Sequence, residues 1–327
     1  MSNPLVSVIM PVYNSDKTID QAIESILNQT YKNFELIICN DGSLDLTEEK
    51  IKEYKDIRIR YYRNDTNRGN LYTTNKLFDL CVGEYIALQD ADDFSALDRI
   101  QKQIIKISEF NVDLVTTNAS ILYENTIIKN IENPIQHKDI IDFLHRNKKL
   151  TLIWGSVLFK KEVYLDIGGF DPIFDRVGAA DINWLLRAIK KYNFFNISES
   201  LYIYRQHAES FTKKININDN KFVSRIFSED IAYDIYEDIE EYSFEKSKNA
   251  FNARLFNYSQ EFESDNKKLL SVFFSNLIFK QMSFFAFILH VLKLKTKFFL
   301  KIVYIMFGLI YLIFGLSFLE KIKEKMR

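Results

Sequence analysis

Short apolar runs alternate with amphipathic helical patterns along the first part of the chain. Four runs rich in β-branched and aromatic residues predict strands, at residues 5–10, 34–39, 57–62 and 85–88. Between them, apolar residues at helical spacing predict helices, for example the face formed by Ile19, Ile23 and Leu27. Strands and helices that alternate in short units are typical of a parallel sheet flanked by helices. The pattern therefore predicts an α/β fold.

The order becomes less regular in the middle of the chain. The predicted elements are a strand at 114–117, a strand pair over 121–131, a surface helix over 137–145, and strands at 154–159 and 201–204. A further helix begins at Asp181, and the sequence turns helical again from Asp219 onward. We therefore expect an α/β domain over residues 1–215 and an all-helical region over residues 216–327.

The last segment of the chain, about residues 267–327, is both basic and apolar. Residues 302–319 carry no charge, and a stretch of about eighteen residues just reaches the length that spans a bilayer. Lysines flank this stretch on both sides, which also suits a helix that lies on anionic lipid. We expect these helices to attach the protein to a membrane surface, and pairing in a homodimer is a compatible alternative.

Composition narrows the classes of partner and the compartment. The formal net charge of −1 gives no general reason to expect nucleic acid as a partner. Cys39 and Cys81 lack metal-ligand spacing, so we expect two buried, inert thiols in a reducing compartment. Neither a basic region nor an apolar signal core precedes the first strand. A location at the cytoplasmic face of the cell membrane is therefore expected.

Polar side chains follow each of the first four predicted strands. They are Asn14, Asp41, Asn67 and Asp90. Ligands of such sheets bind beyond the carboxyl ends of the strands, so these four residues predict a binding site. The nine glycines form no phosphate-binding loop. A nucleotide at this edge would have to be held by side chains and a metal.

Three carboxylates, Asp90, Asp92 and Asp93, crowd directly behind the fourth strand. Like charges at this spacing repel one another, and a divalent cation is the simplest compensation. Oxygen ligands at a strand end suit Mg²⁺ or Mn²⁺. An acidic turn that caps the helix starting near Ala96 is the alternative.

The chain resembles the family 2 glycosyltransferases, enzymes of the GT-A fold that use nucleotide-diphosphate sugars. The resemblance extends over about residues 5–210 and is carried by motifs in the right order. These are Val8-Ile9-Met10-Pro11-Val12-Tyr13-Asn14, Ile37-Ile38-Cys39-Asn40-Asp41-Gly42-Ser43, Asn67-Arg68-Gly69, Asp90-Ala91-Asp92-Asp93, Gly168-Gly169-Phe170-Asp171, Asp181 before Leu185-Leu186-Arg187, and Tyr204-Arg205-Gln206-His207. The fold implied is a Rossmann-like, mixed but mainly parallel sheet flanked by helices, here followed by the helical extension.

The resemblance implies a role for each matching residue. Asp181 is the implied general base, Asp92 and His207 are metal ligands for Mn²⁺ or Mg²⁺, and Asp93 supports the scaffold. The implied donor-binding residues are Pro11, Tyr13, Asn14, Asp41, Asn67, Arg68, Asp90, Ala91 and Asp92, with Asp41 receiving the imide N–H of uracil. The acceptor-side residues are Trp154, Gly169 and Phe170. Simpler readings remain open, because Asp41 suits an Asx turn and Asp181 suits a helix N-cap.

These implications favour an inverting enzyme that transfers a sugar from a UDP-sugar to a glycan or lipid-linked acceptor in cell-surface polysaccharide synthesis. The chain departs from the family pattern at Ala180, where the family commonly has Glu. Two alternatives remain. A nucleotidyltransferase would require a Gly-rich loop after the first strand, and a non-catalytic nucleotide-sugar-binding scaffold is hinted at by Ala180 alone.

Overall fold

The computed structural model describes residues 3–175, 178–206, 232–237 and 239–251, together with residues 288 and 305. The chain divides into two compact units, Met1–Asp171 with Ala180–Lys214 and Pro172–Ala179 with Ile215–Arg327. All named strands and helices below lie in the first unit.

The strands of the described part are β1 (Val6–Val12), β2 (Phe34–Asn40), β3 (Ile59–Arg63), β4 (Tyr85–Leu88), β5 (Phe94–Ser95), β6 (Leu114–Tyr123), β7 (Thr126–Ile131), β8 (Leu158–Lys160) and β9 (Phe194–Gln206). The helices are α1 (Ile19–Leu27), α2 (Thr47–Glu53), α3 (Asn70–Leu80), α4 (Arg99–Phe110), α5 (His137–Asn147), α6 (Lys161–Ile167) and α7 (Ala180–Ile189). Short 3₁₀ turns lie at Trp154–Ser156 and Pro172–Phe174.

The strands form one mixed sheet in the order β3-β2-β1-β4-β8-β6-β9-β5, and β7 pairs with β6. The first four positions in this order are parallel, with Val12 opposite Asn40 and Ile9 opposite Leu88. The carboxyl ends of β1, β2, β3 and β4 therefore meet at one edge, as the sequence predicted. The α/β class is confirmed.

Helix α1 shows why the apolar spacing produced a correct prediction. Its residues Ile19, Ala22, Ile23 and Ile26 are buried and pack into the same core as Val8 of β1. Burying one such aliphatic side chain stabilises the fold by about 1.5–3 kcal/mol relative to exposing it. The predicted burial of both cysteines is also confirmed.

Three details of the predicted elements are wrong. Residues 154–156 form a 3₁₀ turn, and the strand begins only at Leu158, because Ser156 N bonds back to Ile153 O instead of to a neighbouring strand. The strand predicted at 114–117 continues to Tyr123, because β6 is paired with β9 along this length. The helix predicted on the surface over 137–145 is not fully exposed, because His137 Nδ1 accepts a hydrogen bond from Phe194 N at 3.2 Å and Ile140 and Leu144 are buried.

The predicted helical extension lies largely outside the described residues. Helical conformation is seen at residues 232–237 and 244–251, and the basic, apolar tail is not described apart from residues 288 and 305. Among the residues that are described, none belongs to a helix long and apolar enough to cross a bilayer.

A buried network of charged and polar side chains connects the amino ends of the parallel strands. The Glu35 carboxylate accepts hydrogen bonds from Ser7 Oγ at 2.5 Å, from Arg60 at 2.5 Å and from Val82 N at 3.1 Å. Ser7 Oγ in turn accepts a hydrogen bond from Gly83 N at 2.8 Å. Burial raises the pKa of Glu35, but these hydrogen bonds outweigh it and hold the pKa below the usual 4.5.

Replacing Glu35 by Gln should destabilise the fold by about 1–3 kcal/mol at pH 7, because a hydrogen-bonded charge is lost. A lowered folded-state pKa contributes stability above the unfolded value of 4.5 that is lost as the pH falls. The difference between wild type and variant should therefore shrink in acid. Urea unfolding at pH 7 and pH 4 measures it, with the exposed Glu49→Gln as control. Equal stability at pH 7 would contradict the assignment.

Candidate active site

The loops after β1 and β2 are tied together by Asn14. Its backbone N–H donates to Ser43 Oγ at 2.9 Å, and its Oδ1 accepts a hydrogen bond from Leu44 N at 2.9 Å. Asn14 has a positive φ of 47°, a conformation that asparagine tolerates better than most residues. Pro11 lies within β1, half-buried, and Tyr13 is exposed over 44% of its surface. Asn14 thus shapes this edge, and Tyr13 is open to a ligand.

The Asp41 carboxylate organises the loop that follows β3. It is buried and accepts hydrogen bonds from Asn64 Nδ2 at 2.8 Å, Arg68 N at 2.9 Å and Gly69 N at 2.8 Å. A carboxylate has about four acceptor positions, so these three bonds from the described residues leave capacity for one ligand donor. The simpler reading of Asp41 as an Asx turn is wrong, because its partners lie at least 23 positions further along the chain. Asp41 instead holds the loop after β3, which is compatible with ligand binding.

The same loop presents a planar cation at the surface. Arg68 is exposed, and its guanidinium lies over the Tyr72 ring at 4.4 Å from the centroid. Asn67, immediately before it, is exposed too. Stacking on Tyr72 holds the Arg68 guanidinium at this edge, where it is suited to a base or a phosphate.

Two of the three aspartates behind β4, Asp90 and Asp93, lie in surroundings that disfavour their charge. Burial, with the nearby charges of Asp92 and then Asp181, raises the pKa of Asp90 to about 7. Burial, with the charges of Asp92 and Asp90, also raises the pKa of Asp93 well above its usual range. Because Asp181 contributes to the shift at Asp90, the first turn of α7 lies within electrostatic reach of the aspartate cluster.

Several contacts hold this acidic turn in place. Buried Ala91 accepts a hydrogen bond through its carbonyl oxygen from Thr18 Oγ1 at 2.9 Å. Asp93 Oδ1 accepts one from Arg205 N at 2.7 Å, whereas Asp93 Oδ2 is buried without a hydrogen-bond partner. Asp93 therefore joins the turn to β9, which agrees with a scaffold role.

The aspartate cluster fits a divalent cation that arrives with a phosphate ligand. In the described part of the chain, no three His, Cys, Asp or Glu side chains converge as a complete metal site. Mg²⁺, however, is usually bound through one or two carboxylates plus substrate phosphates. Asp90 and Asp93, whose pKa values are raised, are carboxylates whose charged forms such a cation would stabilise. His207, the other predicted ligand, lies outside the described residues.

The predicted acceptor-side residues do come together. The Trp154 ring lies 5.0 Å from the Phe170 ring and 5.4 Å from the Trp184 ring of α7. The turn at residues 168–170 is held from two sides. Trp184 Nε1 donates to Gly168 O at 2.8 Å, and the Asn75 side chain of α3 bonds both Phe170 N at 2.7 Å and Phe170 O at 3.0 Å.

One close approach and the start of α7 explain local details of this side of the site. A Cβ on Gly169 would lie 2.4 Å from Asn75 Oδ1, so only glycine permits the Asn75 contact. Asp181 is the second residue of α7, in its first turn. The N-cap reading of Asp181 is therefore wrong, because the helix has already begun at Ala180.

Three residues that sequence reasoning missed lie directly behind the aspartates. They are Arg99, Gly155 and Tyr202. One signal was available, because Arg99 and Gln103 stand on the otherwise apolar face of α4 and are fully buried. Buried polar residues on an apolar face have to find partners, but the sequence does not say which ones.

Comparison with known proteins identifies the family. Residues 7–168 match the family described as Glycosyl transferase family 2. An uncharacterized glycosyltransferase of Haemophilus influenzae is 31% identical over 238 residues, which cover 71% of this chain and 89% of that protein. The chain belongs to glycosyl transferase family 2. It is therefore a glycosyltransferase, an enzyme of class EC 2.4.

A shorter match involves an enzyme whose reaction is named. The UDP-Glc:alpha-D-GlcNAc-diphosphoundecaprenol beta-1,3-glucosyltransferase WfgD of Escherichia coli is 36% identical over 128 residues. That match covers 39% of this glycosyltransferase and 51% of WfgD.

Two solved structures share the fold of the glycosyltransferase. Staphylococcus aureus TarS 1–349 in complex with UDP-GlcNAc aligns with a TM-score of 0.61 at 14% identity, over 86% of this chain and 82% of that chain. The mannosyltransferase PcManGT of Pyrobaculum calidifontis, in complex with GDP-Man and Mn²⁺, aligns with a TM-score of 0.55 at 16% identity, over 96% and 88%. The predicted GT-A-like α/β fold is confirmed.

Replacing Asp41 by Asn should destabilise the enzyme by about 1–3 kcal/mol, because one amide N–H₂ must face a buried N–H donor. The Arg68 loop should loosen with it, and UDP affinity should fall. Thermal unfolding and UDP titration measure the two effects. Asp139→Asn, an exposed acid of α5, is the control. An unchanged melting temperature would show that Asp41 does not hold the loop.

Proposed function

We propose that the protein transfers a sugar from a UDP-sugar to a hydroxyl group of a glycan or lipid-linked acceptor, with inversion at the anomeric carbon. The observation that carries the proposal is the contact between α7, which contains Asp181, and the turn beside Asp90. Trp184 of α7 lies against Trp154, and a Cβ on the next residue, Gly155, would lie 2.6 Å from Asp90 Oδ2. This contact supports a role for Asp181 as the base next to the donor-holding aspartates.

Donor binding is assigned to the loops after β1, β2 and β3. Asp41 retains acceptor capacity for a uracil imide N–H, while Arg68 and exposed Tyr13 flank the same edge. Pro11, Asn14 and Asn67 shape the backbone around them. The relative that names its donor uses UDP-Glc, and the structural neighbour TarS holds UDP-GlcNAc, which supports a UDP-sugar here.

The metal role is assigned to Asp92, with His207 as a second ligand and Asp90 directed to the ribose or the donor sugar. Mn²⁺ or Mg²⁺ bound there would neutralise the charge that develops on the departing diphosphate. The structural neighbour that contains GDP-Man and Mn²⁺ supports this assignment. A bound cation would oppose the effect of burial and of neighbouring carboxylates, which raise the pKa values of Asp90 and Asp93.

Asp181 takes the proton from the acceptor hydroxyl as that oxygen attacks the anomeric carbon from the face opposite the diphosphate. Trp154 and Phe170 offer aromatic surface for the acceptor, beside the turn that contains Gly169. Ala180 stands where the family commonly has a Glu beside this aspartate.

The cellular setting follows from the acceptor. WfgD names a diphosphoundecaprenol-linked acceptor, and we infer a lipid-linked or surface-glycan acceptor at the cytoplasmic face of the membrane for this protein. The basic, apolar segment 267–327 is the proposed attachment, and a homodimer is compatible with it.

Metal removal tests the enzyme assignment. With MnCl₂, the full chain should release UDP from at least one of UDP-glucose, UDP-GlcNAc and UDP-galactose. EDTA should lower the rate by at least about a hundredfold, because charge neutralisation at the leaving group is lost. Excess Mn²⁺ should restore it. Release of pyrophosphate from a nucleoside triphosphate would favour the nucleotidyltransferase, and binding without any release would favour the scaffold.

Replacing Asp181 by Asn should lower sugar transfer by about 10²–10⁴-fold, the range of a lost general base. UDP affinity with Mn²⁺ should stay within about threefold, because the variant keeps the shape of the side chain. Transfer to an acceptor extract and calorimetric UDP titration measure the two. Asp166→Asn, an exposed acid of α6, is the control. Normal turnover by the variant would rule out Asp181 as the base.

A further inference from the structure

Tyr202 of β9 contacts Asp90 at two points. Its hydroxyl oxygen accepts a hydrogen bond from Asp90 N at 3.2 Å, and the hydroxyl donates to Asp90 Oδ2 at 3.4 Å. The side chain of Tyr202 is fully buried. One hydroxyl therefore reaches both the backbone and the carboxylate of the first aspartate in the cluster.

Arg99 supports Tyr202 from the side of α4. This fully buried arginine donates to Leu88 O at 2.9 Å and to Gly155 O at 3.2 Å. Its guanidinium carbon lies 5.7 Å from the centroid of the Tyr202 ring. One side chain thus joins the end of β4, the 3₁₀ turn and the tyrosine behind Asp90.

Gly155 leaves room for this arrangement. A Cβ at position 155 would lie 2.1 Å from Tyr202 Oη and 2.6 Å from Asp90 Oδ2. Non-bonded heavy atoms cannot approach so closely, so any larger residue would push the hydroxyl or the carboxylate aside. The contact between Tyr202 and Asp90 therefore depends on glycine at this position.

We propose that Tyr202 is a positioning residue that orients the Asp90 carboxylate toward the donor. Arg99 holds Tyr202 and the adjoining 3₁₀ turn in place. Because the hydroxyl bonds both the backbone N–H and Oδ2 of Asp90, it limits rotation of the Asp90 carboxylate. The inference rests on the proposed function, since it assigns Asp90 to the donor.

A double-mutant cycle distinguishes positioning from packing. Tyr202→Phe keeps the ring and its contact with Arg99 but removes the hydroxyl. We expect it to weaken binding of UDP-glucose with Mn²⁺ by about ten- to hundredfold, as for a lost hydrogen bond to a charged group. Asp90→Ala should weaken binding as well. In the Asp90→Ala background, Tyr202→Phe should cause no further loss, because its effect acts through Asp90.

The matched control is Tyr31→Phe. Tyr31 is also buried, and its hydroxyl donates to Pro4 O, before the amino end of β1. This variant should bind UDP-glucose as the wild type does. Calorimetry gives the affinities, and thermal unfolding verifies that each variant is folded. If Tyr202→Phe does not fold, Gly155→Ala provides the second variant, and it should reproduce the loss of affinity.

The possible outcomes distinguish a positioning role of Tyr202 from a packing role, and both from a failure of the proposed function. If Tyr202→Phe lowers the affinity equally in the wild-type and Asp90→Ala backgrounds, Tyr202 is only a packing residue. Unchanged affinity in Tyr202→Phe would lead to the same conclusion. Either result would leave the proposed function intact if the wild type binds UDP-sugars. A wild type that binds none of UDP, UDP-glucose and UDP-GlcNAc in the presence of Mn²⁺ would instead overturn the proposed function, and this inference with it.

Discussion

Mutual repulsion of carboxylates at the end of β4 is the constraint on which the site depends. Burial disfavours the charged forms of Asp90 and Asp93, and the charge of Asp92 adds to this effect at both. Asp181 also acts on Asp90, and Asp90 acts on Asp93. The surrounding structure opposes this with a few directed hydrogen bonds, from Tyr202 to Asp90 and from Arg205 N to Asp93. Such a cluster is prepared for a cation and for a polyanionic ligand that brings it.

The two edges of the parallel strands use charge in opposite ways. At the amino edge, Glu35 is matched by Ser7 and Arg60, and its charged form is stabilised. At the carboxyl edge, the charged form of Asp90 is destabilised. A buried charge with a full set of hydrogen bonds stabilises the fold. A charge with an incomplete set can still be paired by a ligand. The sheet thus has a stabilising charge network at its amino edge and carboxylates suited to a ligand at its carboxyl edge.

Local sequence patterns predicted many of the strands and helices. They could not predict contacts between residues that lie far apart in sequence. Apolar runs located β1, β2 and β4 because nearly all of their residues are buried. Alternation with helices predicted parallel strands, and β1 to β4 are parallel. Predicted site residues such as Asp41 and Asp90 met at one edge for the same reason. Tyr202 could not be found in this way, since it lies 112 positions from Asp90 in sequence. Periodicity also mistook the turn at Trp154 for a strand, because a buried 3₁₀ turn is as apolar as a strand.

Helix α3 links two separate parts of the site through contacts near its start and at its middle. It begins at Asn70, directly after the loop that Asp41 anchors, and its Asn75 grips Phe170 beside α7. These positions are five residues apart, about 7.5 Å along a helix axis. Fewer than two helical turns therefore separate the start of α3, beside the loop that Asp41 holds, from the residue that holds the turn at residues 168–170. One short helix thus connects the carboxyl edge of the parallel strands to the aromatic cluster beside α7.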